Sequence, residues 1–187
     1  RAAKQDGYFA EVAKQYLNAM ENEDPEAQYR LASIYQRGFD CQTGLWLYED
    51  QAKAVKWYRK AAEQGNADAQ TAFGACYRDG IGVGKDKVEA VKWFRKAAEQ
   101  DNASAQVALG ECYRDGTGVE KNEVEAIQLF RKAAEMKGIE GVYAQTLLAG
   151  CYLDGVGVEK DEPEAIRWFH RAAKQDGYFA EVAKQYL

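Results

Sequence analysis

Three stretches of this chain line up with one another: AVKWYRKAAEQGNADAQTAFGACYRDGIGVGKD (54–86), AVKWFRKAAEQDNASAQVALGECYRDGTGVEKN (90–122) and AIQLFRKAAEMKGIEGVYAQTLLAGCYLDGVGVEKD (126–161). A fourth copy of the first half starts at Ala165 with AIRWFHRAAKQDG. The register Ala54, Ala90, Ala126, Ala165 advances by 36, 36 and 39 residues, the longer step arising in MKGIEGVY. A period this short is one supersecondary unit that cannot bury its apolar face alone, so the copies must stack on their neighbours.

Each copy carries two apolar stripes at helical spacing. Ala90, Trp93, Phe94, Ala97 and Ala98 fall at i, i+3, i+4, i+7 and i+8, and Ala54/Trp57/Tyr58/Ala61/Ala62 and Ala165/Trp168/Phe169/Ala172/Ala173 repeat the pattern. Ala105, Ala108, Leu109, Cys112 and Tyr113 form the second stripe, matched by Ala69/Ala72/Phe73/Cys76/Tyr77 and Ala144/Leu147/Leu148/Cys151/Tyr152. Ala27/Leu31/Ile34/Tyr35 is an earlier, weaker version. A bulky pair alternating with alanines is what two closely packed antiparallel helices require.

The connectors fit the same scheme. Gly80, Gly116 and Gly155 stand just past a helix end, where a left-handed residue is cheap only for glycine. Asp86, Asn122 and Asp161 are expected N-caps, with Glu89, Glu125 and Glu164 three residues on in capping-box position. Val83, Val119 and Val158 are expected to turn inward and fix the loop. The chain therefore reads as one all-α repeat solenoid over residues 1–187, with units near 8–49, 50–85, 86–121, 122–160 and 161–187.

Composition narrows the partners. The 47% hydrophobic and 29% charged content suits a folded chain, and two prolines against 17 glycines suit helices separated by glycine turns. A net charge of −5 argues against nucleic acid or an anionic membrane surface as the main partner. No apolar run approaches the roughly 20 residues of a membrane helix, so membrane insertion is not expected. The sequence opens at Arg1 with neither an initiator Met nor a signal-peptide pattern, and it assigns no compartment.

The pattern A-x-x-x-L-G-x-x-Y-x-x-G-x-G-V-x-x-D-x-x-x-A-x-x-W-F/Y-x-x-A-A, seen from Ala105 to Ala134 with minor departures, resembles the Sel-one-like repeat, a relative of the tetratricopeptide repeat. The resemblance covers most of residues 27–177. It implies a right-handed superhelix whose inner wall is lined by the helices carrying L-G-x-x-Y. Proteins of this kind are typically adaptors for protein complexes, common in bacterial envelope, secretion and signalling systems. The implied function is a non-catalytic scaffold for protein or peptide segments.

By the same resemblance, groove-facing positions lie two before the Leu, two after it and one after the Tyr. Those are Tyr29, Ser33 and Gln36, then Thr71, Ala75 and Arg78, then Val107, Glu111 and Arg114, then Thr146, Gly150 and Leu153. Small residues beside Arg78 and Arg114 would suit an extended peptide bearing an acidic group.

Catalytic and cofactor chemistry finds little material. Gly80, Gly82 and Gly84 form G-x-G-x-G, but a dinucleotide loop follows a strand, whereas this one follows a helix and recurs in every copy. Cys76, Cys112 and Cys151 share one repeat position, which Ile34 fills in the first copy, so it reads as a buried apolar slot. Equivalent positions in neighbouring repeats lie about 8–10 Å or more apart, beyond the reach of about 7 Å for a disulfide. The cysteine-rich branch of the resembled family bridges its helices with a second Cys per repeat, where alanine stands here. Cys41, in a loop, is the expected reactive thiol. Four cysteines with one histidine lack close metal spacing. His170 occupies the outward place of Arg59, Arg95 and Arg131 and has no paired nucleophile. The 30 acidic residues recur at caps and surfaces. No enzyme, cofactor or metal is expected.

Two further features stand out. Between Gly38 and Ala54 the chain is six residues longer than from Gly80 to Ala90, and it places Leu45, Trp46, Leu47 and Tyr48 together. They read either as a cap folded over the first repeat or as an apolar partner anchor. Residues 1–17 (RAAKQDGYFAEVAKQYL) are identical to residues 171–187, although true repeats here diverge over comparable lengths. Tyr178, Phe179, Val182, Tyr186 and Leu187 would leave an apolar end, which predicts head-to-tail association as the alternative role: a self-assembling structural repeat, natural or engineered.

Overall fold

The computed structural model describes residues 24–38, 49–175 and 178–186. Among them the chain is helical and strand-free: α1 (Pro25–Arg37), α2 (Gln51–Glu63), α3 (Ala67–Asp79), α4 (Lys87–Ala98), α5 (Ala103–Asp115), α6 (Glu123–Ala134), α7 (Ile139–Asp154), α8 (Glu162–Ala173) and α9 (Tyr178–Lys184). No helix of the described residues is long and apolar enough to cross a membrane. The helices follow one another as tandem pairs in two compact units: α1 packs on α2 and α2 on α3 within Arg1–Trp93, and α5 to α9 pack each on the next within Phe94–Leu187.

Helix starts arise where the repeat predicts them. Asp86 Oδ1 accepts from the Glu89 amide at 2.9 Å, Asn122 Oδ1 from Glu125 at 3.1 Å and Asp161 Oδ1 from Glu164 at 2.9 Å. The reciprocal half of the capping box does not appear. The N-cap amides of Asp86, Asn122 and Asp161 donate instead to the carbonyls of Tyr77, Tyr113 and Tyr152, and the Glu89 and Glu164 carboxylates pair with Lys92 and Arg167. A backbone acceptor from the preceding helix has displaced the side chain, which ties the loop at both ends. The Asp50 amide makes the same bond to Tyr35 across the longer connection. Helix ends close on the predicted glycines: Gly80, Gly116 and Gly155 adopt left-handed φ of 78°, 68° and 75°. Their amides donate to the carbonyls of Cys76, Cys112 and Cys151.

In the first unit the core gathers Ala32, Ala54, Tyr58, Ala61, Ala62, Ala69, Phe73 and Cys76 with Trp93, whose ring meets Phe73 edge-on at 5.2 Å. In the second unit one cluster surrounds Phe130 and Leu148, and another joins Val142, Ala149, Phe169, Ala172 and Ala183. A polar core position, not anticipated from the sequence, recurs as Gln28, Gln70, Gln106 and Gln145, all buried. Gln145 Nε2 donates at 2.8 Å to the Ala134 carbonyl where the preceding helix ends, and Gln70 Nε2 donates at 3.1 Å to the Ala62 carbonyl, which also accepts the Gly65 amide.

Cys76, Cys112 and Cys151 are buried and in no disulfide, as the Cys/Ile slot requires. Burial pushes the Cys76 thiol up to about 11, and it also raises that of Cys151. Because the nucleophile is the thiolate, these three should react with a disulfide reagent at pH 8 more than about tenfold slower in the native chain than in denaturant. Equal rates in the two states would show that the slot is open. Cys41 lies outside the described residues and serves as the internal comparison.

Candidate functional site

Each group of expected wall residues takes a different place. In the first unit, Tyr58 Oη on α2 donates to Gln36 Oε1 at 2.7 Å and lies 3.1 Å from Ser33 Oγ. Tyr29 stands half-buried with its ring 5.9 Å from that of Tyr58. Burial pushes the Tyr58 hydroxyl up to about 12 and raises that of Tyr29. Ser33 is therefore not an exposed wall residue: at 7% exposure it belongs to the contact between α1 and α2, drawn there by a phenol needing a partner. Further along, Thr71 is half-buried and its hydroxyl donates to the Ala67 carbonyl one turn back.

The two arginines expected to meet an acidic group already hold one. Arg78 Nε and Nη2 donate to both carboxylate oxygens of Asp79 at 2.9 and 2.8 Å. Arg114 does the same to Asp115 at 2.8 and 3.1 Å. Each aspartate is held below the usual carboxylate range, first of all by this hydrogen bond. The pairs are partly exposed, so their worth is that of screened surface ion pairs.

The second unit brings its remaining wall positions onto two neighbouring helices, α5 and α7. Val107 departs from expectation. It is 5% exposed, packed with Ala126, Ile127, Phe130 and Leu148, because its helix face turns toward α6 and α7. Glu111 is half-buried and accepts from Tyr143 Oη at 2.7 Å, a bond joining α5 to α7. Thr146 donates to the Val142 carbonyl. Leu153 is partly buried beside Val142, Ala149 and Phe169. Between Thr146 and Leu153, Gly150 leaves the α7 backbone bare, and a Cβ added there would meet nothing within 4 Å. Glu111, Arg114, Tyr143, Thr146, Gly150 and Leu153 thus lie on two directly packed helices, with a notch at the glycine.

Elsewhere the outward basic row holds as expected. Arg59, Arg95, Arg131 and His170 are exposed, and Arg95 and Arg131 donate to the hydroxyls of Tyr113 and Tyr152. Of the expected association residues, Val182 is half-buried, while Tyr186 is 58% exposed and stacks on Phe169 at 4.6 Å. The Leu45–Tyr48 cluster, Leu187 and the side chains of Tyr178 and Phe179 lie outside the described residues.

Comparison with known proteins agrees with this architecture. Four segments, residues 25–66, 67–102, 103–137 and 142–177, match the Sel1 repeat. A protective antigen of uropathogenic Escherichia coli displaying an SLR fold is 36% identical over 90% of this chain and 34% of its own, with a TM-score of 0.75. A Sel1 repeat protein from Oxalobacter formigenes is also 36% identical, covering 92% of this chain and 67% of its own, with a TM-score of 0.73. The Helicobacter pylori cysteine rich protein B is 25% identical over 74% of this chain and 96% of its own, with a TM-score of 0.55. The chain thus spans about a third of the first of these proteins and two thirds of the second. No curated protein sequence matches it. Sel1 repeats typically mediate protein–protein contacts and are generally non-enzymatic. With four matched copies, the register of stripes, caps and glycine turns described above places this chain in the Sel1 repeat family.

Proposed function

We propose that the chain is a non-catalytic scaffold that holds an extended protein or peptide segment on the α5–α7 face of its second unit. The observation that carries this reading is the bare backbone at Gly150. Repeat positions equivalent to it hold Ala75 and Glu111, so the glycine opens a notch where other copies present a side chain. Leu153 and Thr146 border the notch on α7, and the Tyr143–Glu111 bond holds the two helices in register beside it. A partner side chain seated there gains apolar contact with Leu153, and groups on α5 supply polar contacts. Arg114 is drawn toward its own Asp115, so an acidic group on the partner has a competitor and contributes less than the notch.

A peptide library selected on the 187-residue chain tests this. Gly150→Leu fills the notch without touching the core, and it should weaken the selected peptides by about tenfold or more, roughly 1.4 kcal/mol. Arg114→Glu should have the smaller effect. Selected peptides that bind the Gly150→Leu chain undiminished would remove the α5–α7 face from consideration.

A further inference from the structure

The second unit holds α9 on a surface made by α7 and α8. Ala183 is fully buried there among Val142 and Ala149 of α7 and Phe169 and Ala172 of α8. Ala149 and Ala172 are themselves fully buried, so the helices approach closely and the place of Ala183 admits only a small side chain. Beside it the ring of Tyr186 lies parallel to that of Phe169, 2° from coplanar. These contacts form a seat for one short helix, specified by an alanine and a tyrosine three residues apart.

The same chain contains that sequence twice. Residues 8–17 read YFAEVAKQYL, identical to residues 178–187, with Ala13 and Tyr16 in the places of Ala183 and Tyr186. Residues 1–17 lie outside the described residues. Identical sequences make identical contacts with a given surface. We propose that the α7–α8 seat also accepts residues 8–17 of a second copy, so that chains link head to tail by exchanging one helix for its duplicate. The contact is heterologous: a chain whose seat is filled from outside still has its own residues 8–17 to offer, and growth continues unless a ring closes. While α9 remains seated, its covalent tether gives it a high effective concentration and holds exchange back.

The duplication makes the test reciprocal, since one substitution at two equivalent positions should have opposite results. Ala183→Glu places a carboxylate in the closed seat, expels the chain's own α9 and leaves the seat open. In sedimentation this variant should show a mass that rises with concentration to two or more chains. Ala13→Glu spoils the duplicate instead. The double variant A13E,A183E should return to the mass of one chain. A labelled peptide with the sequence of residues 1–17 should then bind the double variant, and the same peptide carrying Glu for Ala13 should not. If circular dichroism shows that Ala183→Glu costs the helical fold, the peptide pair is titrated against the unsubstituted chain, where binding competes with α9 and the same discrimination is expected. A monomeric Ala183→Glu chain that keeps its helical content overturns the proposal. So does association that persists in the double variant, which would mean that an uncovered apolar face is merely adhesive. Peptides that both bind, or both fail to bind, overturn it as well.

Discussion

Replacing Phe130 by alanine is expected to destabilise the second unit by about 3–5 kcal/mol, at the high end for a core deletion. The ring is fully buried between α5, α6 and α7, and the side chains around it are mostly too short to close a void: Ala126, Ala133, Ala134, Ala144 and Cys151. Small neighbours leave the cavity open, so the lost transfer energy is joined by a full cavity cost. The ring also explains why position 110 is glycine. A Cβ there would stand 2.5 Å from Phe130 Cε1 and 2.8 Å from Cδ1, and a fully buried ring has nowhere to move. Gly110→Ala alone should therefore destabilise as well. Made together with Phe130→Ala, the new methyl enters the space the ring has left and should recover part of the loss. Urea unfolding of the four chains closes the cycle, with an expected coupling of about 1–2 kcal/mol in favour of the double variant. Simple additivity would mean that α5 and α6 are not held apart by this ring.

That pairing was only half legible beforehand. Apolar stripes, N-caps and glycine turns are local features repeated at a fixed register, and the structure places Asp86, Asn122, Asp161, Gly80, Gly116 and Gly155 in the expected roles. The cysteine slot was readable because Ile34 shares it. Features set by a neighbouring helix were not. The offset from Leu109 puts Val107 on the wall, yet the packing of α5 on α6 and α7 turns it inward. Ser33 reads as a surface serine until Tyr58 arrives from α2. The recurring Ala-Gln pair at 27–28, 69–70, 105–106 and 144–145 was a visible signal, but its meaning depends on carbonyls such as those of Ala62 and Ala134 at the end of another helix. Arg78 and Arg114 look available for an acidic partner only while their own Asp79 and Asp115 are overlooked. Gly150 falls at a wall position, but a sequence does not distinguish a glycine required by crowding from one bordered by open space.

The second large effect rests on that distinction. Gly157→Ala should lower the stability of the second unit by about 2–4 kcal/mol, while Gly150→Ala should raise it by about 0.5–1 kcal/mol. Gly157 has φ of 70°, where an L side chain itself costs about 1–2 kcal/mol. Its missing Cβ would also lie 2.3 Å from the Glu123 carbonyl oxygen and 2.6 Å from the carbonyl carbon. Those are backbone atoms at the start of α6, so no rotamer change relieves the contact, and the loop after α7 must lift away. Lifting it would also strain the 3.2 Å bond from the Gly157 amide to Glu123 Oε2. Gly82 repeats this arrangement in the first unit, 2.3 Å from the Gln51 carbonyl oxygen. Gly150, by contrast, sits inside a helix with open space before it, so alanine adds helix propensity and meets no atom. The two substitutions change the same atoms in one unit, and a shift of denaturation midpoint in opposite directions separates crowding from composition. Midpoints that fall together would mean that Gly150 is sterically required too, and the notch on α7 would then have no room for a partner's side chain.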